Sequence, residues 1–164
     1  MNLPSTLTLR SQLADQVLLE SFVDEVCEYY NIGNTYFGHI LLSLTEAFQN
    51  AVVHGNQNDS SKKVTISLHQ TRRGLKFSVS DEGAGFEPDA IPDPTNPESE
   101  EDTSEGRGLF TIVSLADEVS YSNNGRIIHI SFYVSSMNLE LSEKRASALV
   151  NYFKPINIKS DKES

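Results

Sequence analysis

Hydrophobic positions recur along this chain with two different periods. Apolar and polar residues alternate between Ser5 and Arg10, which predicts a first strand or extended arm with Pro4 at its edge. From Gln12 to Tyr30 the spacing lengthens to four or five residues through Leu13, Val17, Phe22, Val26 and Tyr30, while Asp15, Glu20, Asp24 and Glu28 take the other side; this predicts an amphipathic helix. Asn31-Ile32-Gly33-Asn34 breaks it. A second helix is expected from Thr35 to His54, buried through Phe37, Leu41, Leu44, Phe48 and Val52 and ended by Gly55.

Alternation then returns over Lys63 to Gln70 and Gly74 to Ser80, predicting a hairpin about the turn Thr71 to Gly74. Glu87 to Glu105 is polar, with Pro88, Pro92, Pro94 and Pro97 ahead of the acidic run Glu98 to Asp102. It is too long and too proline-rich for an inert connection and is expected to be a mobile lid or binding loop. A helix over Leu109 to Ala116 follows, then strands over Val119 to Ser122 and Arg126 to Val134 joined at Asn123-Asn124-Gly125. Ser142 to Phe153 has the pattern of a last short helix, and Pro155 onward that of a polar tail. The expected organisation is one domain over residues 1–136 and a C-terminal extension over 137–164.

Composition narrows the chemistry. A chain of 164 residues can bury one core unaided by disulfides or metals. The single cysteine, Cys27, lies among apolar helical positions; it excludes an internal disulfide framework and fits a reducing compartment. MNLPSTLTLR has no apolar core of signal-peptide type, and no stretch approaches the roughly 20 apolar residues of a spanning helix, so a cytoplasmic protein is expected. A formal charge of −10 argues against general affinity for nucleic acid or an anionic membrane. Any phosphate ligand must therefore be held by local groups and a cation.

Three segments carry candidate chemistry. On the second helix, EAFQNAVVHGN sets Glu46 and Asn50 about 40° apart around the axis, roughly opposite the Phe37/Leu44/Phe48 stripe, so both side chains can enter one cavity. An amide oxygen suits a hard cation such as Mg²⁺, and a carboxylate one turn earlier can accept a proton from a hydroxyl. His54, a further turn on, borders the same face. In DEGAGF, Asp81 closes a strand and can accept hydrogen bonds from an exocyclic amine, while Gly83 and Gly85 leave room for a flat ring and Phe86 comes next. In GRGL, Gly106, Arg107 and Gly108 precede the apolar period that begins at Leu109, placing backbone N–H groups where a helix start could cradle phosphate. Alone, each segment also has an ordinary explanation: a solvated helix face, a tight turn, a helix cap. The chain has no G-x-x-x-x-G-K-[ST] and no strand followed by G-x-G-x-x-G, which disfavours P-loop and Rossmann sites.

In order and spacing the segments resemble the N, G1 and G2 boxes of the GHKL ATPase superfamily, and with LADEVSY after the third box the chain is most similar to the bacterial anti-sigma factor serine kinases. The resemblance covers Leu3 to Val134. It implies an α/β two-layer sandwich of the α+β kind, a mixed, mainly antiparallel sheet with helices on one face. It further implies Asn50 as the Mg²⁺ ligand, Glu46 as the general base, and Asp81 at adenine. His54, Gly83, Gly85 and Phe86 would share the ATP pocket, with Gly106, Arg107, Gly108 and Leu109 along the phosphates. The implied partners are a STAS-type antagonist phosphorylated on serine and a sigma factor, with a homodimer also suggested. Two positions depart from the pattern: Thr103-Ser104-Glu105 stands where some relatives carry an arginine, and Arg126-Ile127-Ile128 offers no hydroxyl where relatives often place a threonine beside adenine.

The alternative class is a nucleotide-responsive binding module with little or no catalysis, against which Glu46 argues because binding alone needs no base. A sensor histidine kinase is disfavoured, since no room remains for a phosphoacceptor domain and His39 lies inside the domain itself.

Overall fold

The computed structural model describes residues 3–85 and 104–134. Within them the chain forms β1 (Thr6–Arg10), a short 3₁₀ turn (Leu13–Asp15), α1 (Gln16–Tyr29), α2 (Asn34–Asn50), a π-helical turn (Ala51–Gly55), β2 (Lys63–Gln70), β3 (Leu75–Ser80), α3 (Ser104–Leu115), β4 (Glu118–Ser122) and β5 (Ile127–Phe132). The five strands make one sheet in the order β1-β2-β3-β5-β4. Every pairing among them is antiparallel, so the expected mixed sheet has no parallel pair among the described strands.

Alternation places Val64, Ile66 and Leu68 of β2, Leu75, Phe77 and Val79 of β3, and Ile128, Ile130 and Phe132 of β5 on one face, all buried. The helices cover that face with Leu19, Phe22, Val23 and Val26 of α1, Ile40, Leu44, Ala47 and Phe48 of α2, and Leu109 and Ile112 of α3. Each large side chain removed from water contributes about 1.5–3 kcal/mol before chain entropy is counted. This is the two-layer α/β sandwich, with helices packed on a single face of the sheet.

Helices α1 and α2 differ from their sequence expectation as follows. In α1 the buried stripe is Leu19, Phe22, Val23, Val26 and Cys27, while Leu13 and Val17 are 47% and 63% exposed. Asp15 anchors this start instead: its buried carboxylate accepts from Gln12 Nε2 at 2.8 Å and pairs with Arg10 Nη2 at 3.2 Å, tying the helix to β1. Those hydrogen bonds, led by Gln12's, hold the Asp15 carboxyl below its usual range despite burial. In α2 regular α geometry stops at Asn50, and Ala51 to Gly55 continue as a π turn. The expected helix over Ser142 to Phe153 and the loop over Glu87 to Thr103 lie outside the described residues.

Candidate nucleotide site

The π turn brings the end of the first sequence segment against the second. A Cβ on Gly55 would collide with the Asp81 carboxylate, and one on Gly83 would collide with the Gly55 carbonyl. At Gly83 the neighbour is backbone, so only glycine permits the approach there; at Gly55 the neighbour is the Asp81 side chain, which a Cβ would displace. Such π turns recur at functional sites because the extra residue re-aims the chain beyond it. Here it is Asn56 that is re-aimed: fully buried, it donates from Nδ2 to Lys63 O at 3.0 Å and accepts from Glu82 N at 2.8 Å. Asn56 thereby clamps the helix end to the start of β2 and to the residue after Asp81.

The third segment meets the first. Gly108 lies against α2 such that a Cβ would stand 2.9 Å from Glu46 Oε2 and 3.0 Å from Asn50 Nδ2. Because α3 begins at Ser104, Gly106, Arg107 and Gly108 occupy its first turns instead of preceding it, as the apolar period from Leu109 had suggested. The positive end of the helix dipole is thus carried close to Glu46 and Asn50.

Between these elements opens a cavity lined by Asn50, Ala51, His54, Gly55, Asp81, Ala84 and Gly85 on one side, and Val79, Tyr121, Arg126 and Ile128 on the other. Val79 and Ile128 give it apolar lining and Asp81 a carboxylate, a combination that suits a heteroaromatic ring bearing an amine. Asp81 Oδ1 accepts from Gly83 N at 2.8 Å. Burial raises the Asp81 carboxyl above its ordinary range, opposed by that N–H and by the charges of Arg126 and Lys62. Arg126 also shapes the rim, donating from Nε to Gly83 O at 2.9 Å and from Nη2 to Ala84 O at 3.1 Å.

Not every expected site residue reaches this cavity. Glu46 and Gly108 meet Asn50 at its edge, and Gly83 is buried beneath the loop. Gly85 takes the left-handed conformation, φ +76°, that its loop requires. Arg107 is exposed, its carbonyl taking the Thr111 hydroxyl, and it does not line the cavity. Leu109, expected along the phosphates, is instead 1% exposed in the hydrophobic core, because it points from α3 toward the sheet. Phe86 lies outside the described residues. Asn56, Arg126 and Tyr121 were missed; Asn56 was readable in HGN, whose glycine ends the helix.

A helix-covered antiparallel sheet with a glycine-walled cavity between its helices and strands β3, β4 and β5 defines a nucleotide-binding domain without a phosphate-binding loop of the Walker type. The sequence profile of the histidine kinase-like ATPase domain matches residues 9–132. The chain belongs to that family, within its group of serine-protein kinases and anti-sigma factors. It is 27% identical over 112 residues to the serine-protein kinase RsbW of Oceanobacillus iheyensis, covering 65% of this chain and 71% of that one. It is 32% identical over 102 residues to the anti-sigma F factor of Bacillus thuringiensis, covering 58% of this chain and 68% of that one. Among solved structures it is similar to the histidine kinase domain of the Erythrobacter litoralis EL346 blue-light activated histidine kinase, at 19% identity and a TM-score of 0.47, covering 77% of this chain and 63% of that one. No helix of the described residues is long and apolar enough to cross a membrane.

Proposed function

We propose that this chain is an ATP-dependent serine-protein kinase that regulates transcription by partner switching in the cytoplasm, phosphorylating a STAS-type anti-anti-sigma protein and holding a sigma factor. The packing of Gly108 against Glu46 and Asn50 supports the reading most directly, because it joins a carboxylate, an amide and a helix N-terminal region at the edge of a ring-sized cavity. The residues present fit ATP and Mg²⁺. Asp81 offers the acceptor for the adenine amine, Gly55 and Gly83 keep the backbone close, and Asn50 offers an oxygen to the cation.

Among the described residues no three His, Cys, Asp or Glu side chains gather into a metal site. Asn50 would accordingly hold Mg²⁺ together with phosphate oxygens and water, the usual arrangement for this ion. The bound ion supplies charge neutralisation at the phosphates. Glu46 takes the proton of a serine hydroxyl while that oxygen bonds to the γ-phosphorus and the bond to the ADP oxygen breaks. Positioning carries most of the remaining rate.

The test is incubation of the protein with candidate STAS proteins and labelled ATP, with the phosphorylated residue mapped. Transfer to a serine is expected, with Glu46→Gln abolishing transfer while sparing ATP binding. Full transfer by Glu46→Gln removes the general-base role. Complex formation without transfer by the wild type leaves only the binding module.

A further inference from the structure

The sheet has a second face, opposite the helices. Its register aligns Ser67, Ser78, His129 and Ser120 in one row across β2, β3, β5 and β4, and His69, Lys76, Ser131 and Glu118 in the next. His129 is fixed through both ring nitrogens, with Ser78 Oγ 2.7 Å from Nδ1 and Ser122 Oγ 2.7 Å from Nε2. Beside it lies a depression whose lining includes Arg73, Lys76, Ser120, His129, Ser131 and Tyr133.

In a chain of charge −10, cations are concentrated here. Arg72, Arg73 and Lys76 line the depression against one carboxylate, Glu118. That carboxylate is engaged: Arg73 lies 5.3 Å over the Tyr133 ring and donates to its hydroxyl at 3.2 Å, and the hydroxyl donates to Glu118 at 2.8 Å. Half-buried Lys76 has no hydrogen-bonding or ion-pair partner among the described residues, and the Ser120 and Ser131 hydroxyls beside it are likewise uncommitted there. The groups facing His129 are Ser78 and Lys76 from β3, His69 from β2, and Ser120, Ser122 and Glu118 from β4. Burial, and then the charges of Lys76 and His69, push the imidazole below its ordinary range.

We propose that this depression binds a tetrahedral oxyanion, inorganic phosphate or a phosphate monoester, held by Lys76 and Arg73 with the hydroxyls of Ser120 and Ser131 as further donors. A cationic pair and rotatable hydroxyls match the charge and the several acceptors of such a group. The site is separated from the nucleotide cavity by the sheet, since Val79 and Ile128 line that cavity from the opposite face. It does not depend on the nucleotide reading.

The experiment is an NMR titration of the His129 ring at constant ionic strength, with inorganic phosphate in one arm and O-phosphoserine in the other. A saturable shift with an upward move of the His129 pKa is expected. Lys76→Met should weaken the apparent affinity roughly tenfold, Lys76→Arg should restore it, and Asn50→Ala should leave it unchanged. Tighter saturation by O-phosphoserine identifies a phosphate ester as the ligand, and tighter saturation by phosphate identifies the free anion. A response that does not saturate, that chloride reproduces, or that survives Lys76→Met overturns the proposal.

Discussion

A methyl group on Gly108 would stand 3.0 Å from Nδ2 of Asn50 and 2.9 Å from Oε2 of Glu46. These neighbours are tips of side chains that can swing aside, not backbone. Alanine is also the better helix former, by about 0.5–1 kcal/mol. Gly108→Ala should therefore leave the melting temperature unchanged or slightly raised while displacing both polar groups. ATP binding and phosphoryl transfer should fall tenfold to about a hundredfold, the usual effect of small misplacements at a reacting centre. Calorimetry and a kinase assay on one preparation would separate the effects; a stable variant with full activity would refute the assignment of this edge to the phosphates.

Arg126 acts on the other end of the cavity. Its side chain bonds the carbonyls of Gly83 and Ala84, and its own carbonyl accepts from Asp81 N at 3.0 Å, so Arg126, just ahead of strand β5, holds the glycine loop at both of its ends. Arg126→Ala should cost about 1–2 kcal/mol of stability and raise the KM for ATP about tenfold with a smaller change in kcat. Arg126→Lys retains the charge but not the planar fork and should recover only part of the affinity. Equal loss in kcat and unchanged KM would place Arg126 outside base binding.

The strands were legible because period-two alternation survives wherever one face is buried, as in β2 and β3, whose observed spans match the expected ones within a residue. The hairpin at Asn123-Asn124-Gly125 was readable for a similarly local reason: all three residues adopt positive φ, which asparagine and glycine tolerate. The start of α1 was not. Leu13 and Val17 fit a helical period as well as Leu19 and Val23 do; the buried face is the one that packs into the shared core, and the Arg10–Asp15 pair ties the helix start to β1. In the site, the types and order of Glu46, Asn50 and Asp81 were visible, but the π turn that brings Gly55 to Asp81 and the reach of Arg126 across the hairpin leave no periodic trace. Gly106, Arg107 and Gly108 were expected ahead of the helix because the apolar period starts only at Leu109, five residues after α3 begins.

Cys27 is buried between α1 and the rest of the core, and burial, with Asp24 nearby, pushes its thiol up to about 11. The thiolate is the reactive form, so it is scarce at neutral pH in the native protein. Labelling by an aromatic disulfide reagent should be slow in buffer and rapid in denaturant, with the native rate tracking unfolding. Fast labelling of the folded protein would show that α1 opens independently.

Asp81 sets function against stability. Burial raises its carboxyl above the ordinary range, so the native state binds this proton more readily than the unfolded chain does. By linkage, stability falls as pH rises from the ordinary aspartate pKa through the raised native value, and the cost of the buried charge stands in full above it. Asp81→Asn removes that charge and keeps an acceptor for the Gly83 N–H. At neutral pH the melting temperature should rise by about 1–3 °C, and the difference from wild type should close as the pH drops below the ordinary aspartate range. Binding should respond oppositely. The wild type should lose ATP affinity as acid protonates Asp81, whereas Asp81→Asn should bind at least tenfold more weakly at neutral pH and show no acid limb, because an amide N–H₂ then faces the adenine amine. A variant that is less stable at neutral pH, with a gap that persists in acid, would show that the Asp81 charge is not what burial penalises here.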